Sequence, residues 1–446
     1  MLDIKFVRAN PEVVKENIRR KFQEEKLPLV DKVIALDAEH RTVLGQAENL
    51  RAQRNAGSKE IGMLMGQKKL EAAQAKRKEI AGLGQELERL GVQEKTLAAQ
   101  VKDLMMKLPQ IIDDSVPLGK SDEENVQVAT YGEAKTPAFE VPYHVDILER
   151  LSGIDLDSAR KTSGNGFYFL MGDVARLHSA VMNYARDFMI DKGFTYCVPP
   201  FMIRGHVVEG VMSFAEMEGM MYKLEGEDLY LIGTSEHSMI GKFIDTINAK
   251  ECLPQCLTSY SPCFRKEVGA HGIEERGVFR VHQFEKQEMV VVCEPEDSMG
   301  WFEKMLGYTV EFFQSLEIPV RTLECCSGDL ADLKVKSIDV EAWSPRQQKY
   351  AFEVGSCSNL GDAQARRLGI RIKAQPNKGH SEAAEPDRRS NYFSHTLNNT
   401  VVAPPRMLIP FLENHLRENG SIGIPEVLRP YMGMKEEIAP PASTNV

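Results

Sequence analysis

Two runs of apolar residues, spaced in alternating steps of four and three, constrain the first quarter of the chain more than any other feature. Leu29, Val33, Leu36, His40, Val43, Ala47 and Leu50 make the first run; Ile80, Leu83, Leu87, Leu90, Glu94, Leu97, Val101, Leu104 and Leu108 make the second. Such spacing keeps one stripe of a helix against a partner helix, so both runs read as coiled-coil seams. Gly57, Gly62 and Gly66 lie between them and lower helix propensity, which marks a reversal. The expectation is an antiparallel hairpin whose helices are each roughly 50 Å long at about 1.5 Å per residue. A hairpin with one seam has no further core, so it must project from a larger body. Its outer part, residues 51 to 78, carries Arg51, Arg54, Lys59, Lys68, Lys69, Lys76, Arg77 and Lys78 against only Glu60 and Glu71, in a chain whose net charge is -10. Three readings fit a basic outer arm on an acidic protein: a solvated helical face, a surface that contacts phosphates by displacing counterions, and a seam that recruits another protein.

The remaining chain is long enough for one or two further domains, and a 42% hydrophobic composition over 446 residues supplies ample core. The acidic total excludes wholesale coating of nucleic acid. Eight cysteines, including the adjacent Cys325 and Cys326, form no paired framework, and the start MLDIKFVRANPEVV places charge where a signal peptide needs an apolar run. A reducing, cytoplasmic setting fits both. No stretch approaches the roughly 18 apolar residues of a membrane span, so no membrane partner is expected. Cys252 and Cys256 lack companions at zinc-site spacing, so no zinc is expected. Pro109 ends the second helix, because its nitrogen cannot donate and its ring clashes with the preceding turn. LPQIIDDSVPLGKSDEEN (108 to 125) then reads as a linker. Beyond it, short apolar runs such as LYLIG (229 to 233) and EMVVVC (288 to 293) look like strands, and 173 to 190 looks like a helix. The fold class is α+β, with no GxGxxG fingerprint and no phosphate-cradling G-x-x-x-x-G-K-[ST] loop. Any nucleotide is held some other way.

Residues 263 to 288, CFRKEVGAHGIEERGVFRVHQFEKQE, carry five basic and five acidic side chains around three glycines. Cys263 to Val268 and Phe279 to Val292 are strand-like, and AHGIEERG with Gly269 before it supplies a long hairpin loop. Residues two apart in a strand share a face, which groups Arg265 with Glu267, and Arg280 with His282, Phe284, Lys286 and Glu288. An aromatic ring between cations, beside a paired Arg and Glu, suits a nucleoside triphosphate.

FRKE (264 to 267), a loop, then RVHQFEKQE (280 to 288) resembles motif 2 of the class II aminoacyl-tRNA synthetases, and the match is closest to seryl-tRNA synthetase. In the same order, GFTYCVPP (193 to 200) resembles motif 1, TSE (234 to 236) the serine-recognition loop, EVGSCSNLGDAQARR (353 to 367) the nucleotide and metal strand, and HTLNNTVVAPPRMLIPFLEN (395 to 414) motif 3. The basic hairpin resembles the family's tRNA-binding arm. The resemblance covers nearly all of the chain to about residue 433. It implies a tRNA-binding domain at 1–110 with a long helical hairpin, a linker at 111–130, an antiparallel-sheet catalytic domain of class II type at 131–433 and a flexible tail at 434–446.

The implied activity is ligation of L-serine to tRNA(Ser), extending to tRNA(Sec) as in the family, with ATP and Mg2+ and as a homodimer with Pro200 at the interface. Arg265 and Arg406 are the expected clamps on the reacting phosphates. ATP is expected to meet Lys266, Glu267, Phe284, Val354 and Gly355, with Glu353 and Ser356 holding magnesium. Serine is expected to meet Thr234, Ser235, Glu236, Arg265, Glu288 and Thr400. The sequence departs from the family pattern at Asn399-Thr400 and Pro404-Pro405, where the family commonly has small residues, and at Gly355, where serine is frequent. His237 stands where the family often has a smaller or apolar residue, and no chemical role attaches to it. Two rivals differ in kind: a relative that loads a carrier protein or small molecule, which the arm speaks against, and a silent paralogue that only binds, which the presence of Arg265, Glu267, Glu353 and Arg406 speaks against.

Overall fold

The computed structural model describes residues 1–213, 217, 219–267, 277–374 and 390–441. The loop residues 268 to 276, on which most of the expected hairpin loop falls, and the last five residues of the tail lie outside the described residues. The chain divides into two compact units, Met1–Pro109 and Gln110–Val446.

The first unit is dominated by two antiparallel helices, α1 (Leu27–Gly66) and α2 (Leu70–Lys107), with two short helices, Ile4–Ala9 and Pro11–Arg20, before them. Along the seam Val43, Ala47, Leu90 and Leu97 are buried, with Leu36, Leu50 and Leu87 packed against them. The reversal differs from the sequence expectation. Helix α1 runs unbroken through Gly57 and Gly62 for 40 residues, about 60 Å at the helical rise, and the chain turns only at Gln67–Lys69, where Lys68 adopts φ 61°. Gly57 is present for a different reason: a Cβ there would lie 2.7 Å from Ile80 Cδ1 of the facing helix. It is a point of close helix approach and not a breaker. Gly62 has nothing within 4 Å of such a Cβ.

The second unit is built on an eight-stranded sheet of β1 (Val126–Tyr131), β2 (Thr195–Tyr196), β3 (Gln255–Phe264), β4 (Gln283–Cys293), β5 (Val320–Glu324), β6 (Lys336–Ser344), β7 (Lys349–Asn359) and β8 (His395–Val402). Their spatial order is β1-β5-β6-β7-β8-β4-β3-β2, and every neighbouring pair is antiparallel except β2 with β3. Helices α3 (Gly172–Asp191), α5 (Ser298–Ser315) and α6 (Pro404–His415) share the main core with this sheet, while the short α4 (Ser235–Gly241) belongs to a smaller cluster with Val290 and Val292. The helix expected at 173 to 190 is α3. Among the described residues, no helix is long and apolar enough to cross a membrane.

Three expectations need correction. The strand-like runs of 263 to 268 and 279 to 292 are shifted outward, with β3 ending at Phe264 and β4 starting at Gln283. The segment 111–130 is not a free linker. Ile112 and Val116 are buried with Cys325 and Leu330, and β1 forms the sheet edge against β5. Its prolines and acidic residues mask a short alternating strand, which is marginal alone and stable only when paired. The tail, too, is tied down in part. Glu437–Ile438 pairs with Ile422–Gly423, Ile438 is buried, and Lys435 bonds Asp173 at 2.6 Å.

The contrast between the two glycines of α1 is testable by chemical unfolding followed through helical circular dichroism. Gly57→Leu is expected to destabilise the arm by about 1–3 kcal/mol through overpacking against Ile80. Gly62→Ala is expected to stabilise it by about 0.5–1 kcal/mol through helix propensity alone.

Candidate active site

The two faces of β4 diverge along the strand. Met289, Val291 and Cys293 point into the main core with α5, and Val290 and Val292 point the other way, under Met239 and Ile240 of α4 and under Leu368. Phe284, Lys286 and Glu288 continue this second face, and there Phe284 and Lys286 help to floor a cavity lined also by Arg265, Glu267, Glu353, Thr400 and Arg406.

At one end, the Arg265 guanidinium carbon lies 5.2 Å from the centre of the Phe284 ring, and its Nε donates to the Gly233 carbonyl at 3.2 Å. The backbone N–H of Arg265 donates to the His282 carbonyl at 3.0 Å, closing the strand pair just before the loop. Glu267 adopts φ 44°, in the left-handed region, and lines the same cavity. Opposite, Arg406 Nη1 bonds Glu353 Oε2 at 2.9 Å, and the Arg406 guanidinium lies 5.7 Å from the Phe279 ring centre. Phe279 and Arg280 line the cavity as well, although the sequence reading gave Phe279 no role.

At the other end, carboxylates gather. Lys286 pairs with Glu288, both nearly inaccessible to solvent, and Thr400 Oγ1 donates to Glu288 Oε2 at 3.4 Å. Glu236 accepts from Gln364 Nε2 at 2.8 Å, and Gln364 in turn accepts from Thr396 Oγ1 at 2.7 Å. Burial, and next the charge of Glu288, push the Glu236 carboxyl up to about 7. His237 is buried, and burial together with Lys286 and Arg265 pushes its imidazole down to about 3, so it is neutral at pH 7. Thr234 caps α4, its Oγ1 accepting from Glu236 N at 3.3 Å, and Ser235 is fully buried behind it. Lys266, Ser356, Thr234, Ser235, Glu236 and Glu288 are not among the residues that line the cavity, although Glu288 bonds two that do, Lys286 and Thr400.

Glu353 and Ser356 are three residues apart, an interval that sends side chains to opposite faces of a regular strand. In β7 they share a face, because Val340 pairs with Gly355 and Glu341 with Glu353, leaving Val354 as an extra residue in a bulge. The same face carries Asp339 of β6, opposite Ser356 and hydrogen-bonded to it. Burial and the neighbouring Glu353 raise the Asp339 carboxyl to about 6. Sequence reasoning missed Asp339, because its neighbour across the sheet is fixed by a register that no local pattern displays. An accumulation of oxygen donors on one strand face fits a hard cation such as magnesium. Among the described residues, Cys325, Asp329 and Asp339 also bring ligand atoms within 4.8 Å of one another.

The departures at Gly355, Asn399 and Pro404-Pro405 have local reasons. Asn399 is fully buried and donates to the Met305 carbonyl at 2.9 Å and to Thr309 Oγ1 at 2.8 Å. Thr309 Oγ1 donates onward to the Thr400 carbonyl at 2.8 Å. A Cβ at Gly355 would lie 3.0 Å from the Thr309 methyl, so the glycine makes room for that threonine. Pro404 and Pro405 occupy the first turn of α6, where a missing N–H breaks no helical bond. Elsewhere, Pro200 is exposed and its carbonyl accepts from Ser238 Oγ at 2.5 Å. In the first unit, Arg51, Arg54, Lys59, Lys68, Lys69, Arg77 and Lys78 are exposed, and Lys76 is half-buried between Glu60 and Glu79.

Residues 1–112 match the family described as the seryl-tRNA synthetase N-terminal domain, and residues 221–383 match the tRNA synthetase class II core domain (G, H, P, S and T). The chain is 40% identical to a serine–tRNA ligase of Methanospirillum hungatei, with 98% of this chain and 100% of the relative covered. It is 39% identical to the serine–tRNA ligase of Pyrococcus abyssi, with 98% and 97% covered. Among solved structures, seryl-tRNA synthetase from Pyrococcus horikoshii complexed with ATP is similar with a TM-score of 0.88 at 38% identity, over 99% of this chain and 100% of that one. The cytoplasmic serine–tRNA ligase of Naegleria fowleri in complex with AMP gives 0.84 at 31% identity, over 99% of each chain.

Restoring the commoner residue by Gly355→Ser is expected to lower stability by about 1–3 kcal/mol, as overpacking does. Thr309→Ser removes the methyl in the way and is expected to cancel most of that loss. Thermal unfolding of the two single variants and the double variant measures the coupling.

Proposed function

The chain belongs to the seryl-tRNA synthetase family of class II aminoacyl-tRNA synthetases, and from that membership we propose how its cavity performs the reaction. The enzyme is an ATP-dependent serine–tRNA ligase. In the first step the serine carboxylate attacks the α-phosphorus of ATP and pyrophosphate leaves. In the second, the 3′-terminal adenosine hydroxyl of tRNA attacks the carbonyl of the adenylate, and AMP leaves.

The observation that supports this placement is the meeting of Arg265, Phe284 and the Arg406–Glu353 pair around one cavity whose far end holds Lys286 and Thr400, both bonded to Glu288 behind them. Adenine would stack on Phe284, with Glu267 accepting from its exocyclic amine. Lys266, Val354 and Gly355 would complete the nucleotide contacts. Arg265 would hold the serine carboxylate and the α-phosphate together, supplying fixed positive charge where negative charge develops. Arg406 would leave Glu353 for the outer phosphates. Glu353 and Ser356 would hold magnesium, which when bound draws charge from the phosphate oxygens. No side chain serves as a covalent nucleophile. Glu236, with Thr234 and Ser235 beside it, would face the serine ammonium group. Glu288 and Thr400 would bond the serine hydroxyl, so that an amino acid lacking it leaves buried polar groups unpaired.

The exposed basic side chains of the helical hairpin support contact with tRNA through phosphate and shape. tRNA(Ser) is the substrate this reading names, with tRNA(Sec) as a second. The exposed Pro200, beside Val198 at 70% exposure, supports a homodimer face there. All eight cysteines are free thiols, which supports a reducing cytoplasm as the site of action.

An exchange assay of pyrophosphate into ATP with each of the twenty amino acids is expected to show exchange with serine, and its absence overturns the reading. Charge reversal at Lys68, Lys69, Arg77 and Lys78 to glutamate is expected to leave that exchange intact while abolishing tRNA charging. Collapse of exchange in this variant refutes the separation of roles.

The raised Glu236 carboxyl predicts a pH dependence. Below about 7 the group is increasingly protonated and neutral, so its attraction for the ammonium is lost as pH falls. KM for serine is expected to rise, approaching about tenfold per pH unit on the acid side. Steady-state exchange between pH 5.5 and 8.5 measures the slope, and Glu236→Gln is expected to flatten it.

A further inference from the structure

The serine pocket has a polar support beneath it that neither the motifs nor the proposed mechanism uses. Asn399 and Thr400 are consecutive in β8 and face opposite sides of the sheet. Thr400 faces Glu288, and Asn399 faces the core side, where it meets Thr309 of α5. The hydroxyl of Thr309 has one proton, and the geometry commits it: Oγ1 accepts from Asn399 Nδ2 at 2.8 Å and donates to the Thr400 carbonyl at 2.8 Å.

That carbonyl sits where the ladder fails. The register between β8 and β4 shifts between Thr400 and Val402, and such a bulge interrupts ladder hydrogen bonding and re-aims the neighbouring side chain. Thr309 therefore supplies a donor to a carbonyl at an irregular point of the strand, from a helix on the far side of the sheet.

A purely structural role explains this poorly. Asn399 and Thr309 are each fully buried in a layer otherwise made of residues such as Met305, Leu397 and Phe313. Burying two polar side chains there costs stability relative to apolar ones, and the cost is incompletely offset because Asn399 Oδ1 has no hydrogen-bond partner among the described residues. Gly355 is needed as well to leave space for the Thr309 methyl. Three positions are thus arranged around one backbone carbonyl.

We propose that Thr309 and Asn399 are a positioning pair that fixes the bulged segment at Thr400, and through it how tightly and how selectively the pocket holds the serine hydroxyl. The proposal rests on the reading of Thr400 and Glu288 as the hydroxyl's contacts. Thr309 acts through the Thr400 backbone and touches no substrate.

The test uses the full-length enzyme and the pyrophosphate exchange assay. Thr309→Val is nearly isosteric but cannot donate, so the Thr400 carbonyl is left without its partner. It is expected to raise KM for serine about fivefold to tenfold, the scale of one lost hydrogen bond, and to reduce the preference for serine over alanine by a similar factor. KM for ATP and kcat at saturating serine are expected to change less than twofold, which a general loosening of the fold does not produce. Thr309→Ser, which keeps the hydroxyl, is expected to restore the wild-type values. An unchanged KM for serine in Thr309→Val, or equal losses for serine and ATP, overturns the proposal. Should Thr309→Val fail to fold, Thr309→Ala is read against Thr309→Ser in the same assay. Wild-type enzyme that shows no serine-dependent exchange refutes the underlying site reading instead, which keeps the two failures distinct.

Discussion

From Met289 to Cys293 every second side chain of β4 must be apolar toward the main core, while the alternate face has to be apolar at one end of the strand and polar at the other. Met289, Val291 and Cys293 meet the first demand, and Val290 and Val292 close the second face under α4. Phe284, Lys286 and Glu288 are the same face continued. A slip of one residue exchanges the two sets, turning Phe284, Lys286 and Glu288 to the opposite side of the sheet and taking Phe284 and Lys286 out of the cavity. The strand is held in register by ten paired positions with β3 and seven with β8. The site therefore inherits its precision from the core: the hydrophobic pattern that folds the sheet also decides which charges face the ligand.

Charges around the cavity pair with one another. Arg406 meets Glu353 and Lys286 meets Glu288. The two pairs differ physically. Arg406 and Glu353 are partly exposed, so their attraction is screened and their separation costs little. Lys286 and Glu288 are buried, and removing either leaves an uncompensated charge. The first arrangement suits groups that exchange partners for phosphates, and the second suits a fixed element of the pocket floor. Of the charged residues between 263 and 288, Arg265, Glu267, Arg280 and Lys286 line the cavity, whereas Glu285 lies apart and pairs with His178 at 2.7 Å.

Local patterns carried much of this into the sequence. The heptad seams showed α1 and α2, and the alternation of Phe284, Lys286 and Glu288 showed one face of β4 correctly. What stayed hidden depended on partners distant in sequence. Gly57 read as a helix breaker because its partner, Ile80, lies on the opposite helix. β1 read as linker because its six residues acquire strand character only from β5. The shared face of Glu353 and Ser356 came from the family resemblance, since their spacing argues against it. Only the bulge at Val354, a property of the pairing between β6 and β7, reconciles the two. Asp339 and Thr309 belong to the same class of residue, visible once the register is known.

Departures from a family pattern have a physical meaning only when taken together with what they touch. Considered singly, Asn399 places a large polar side chain where a small one is common, and Gly355 removes a side chain from a strand, and each change is unfavourable. In the fold they share one neighbour. The Asn399 amide finds the Thr309 hydroxyl, the Thr309 methyl occupies the space that Gly355 leaves, and the Thr309 proton goes to the backbone of Thr400. The three positions are therefore physically coupled. Reversing one member strands a polar group or creates a clash, so energies measured singly will not add. The orphaned Asn399 Oδ1 marks where the compensation is incomplete. If stability alone governed the layer, an apolar side chain at position 399 would serve better, as it does at Leu397 and Val401 on the same strand. The retained polarity lies directly behind the one motif 3 hydroxyl assigned to serine, which is where a small cost in stability is repaid in the placement of a functional group.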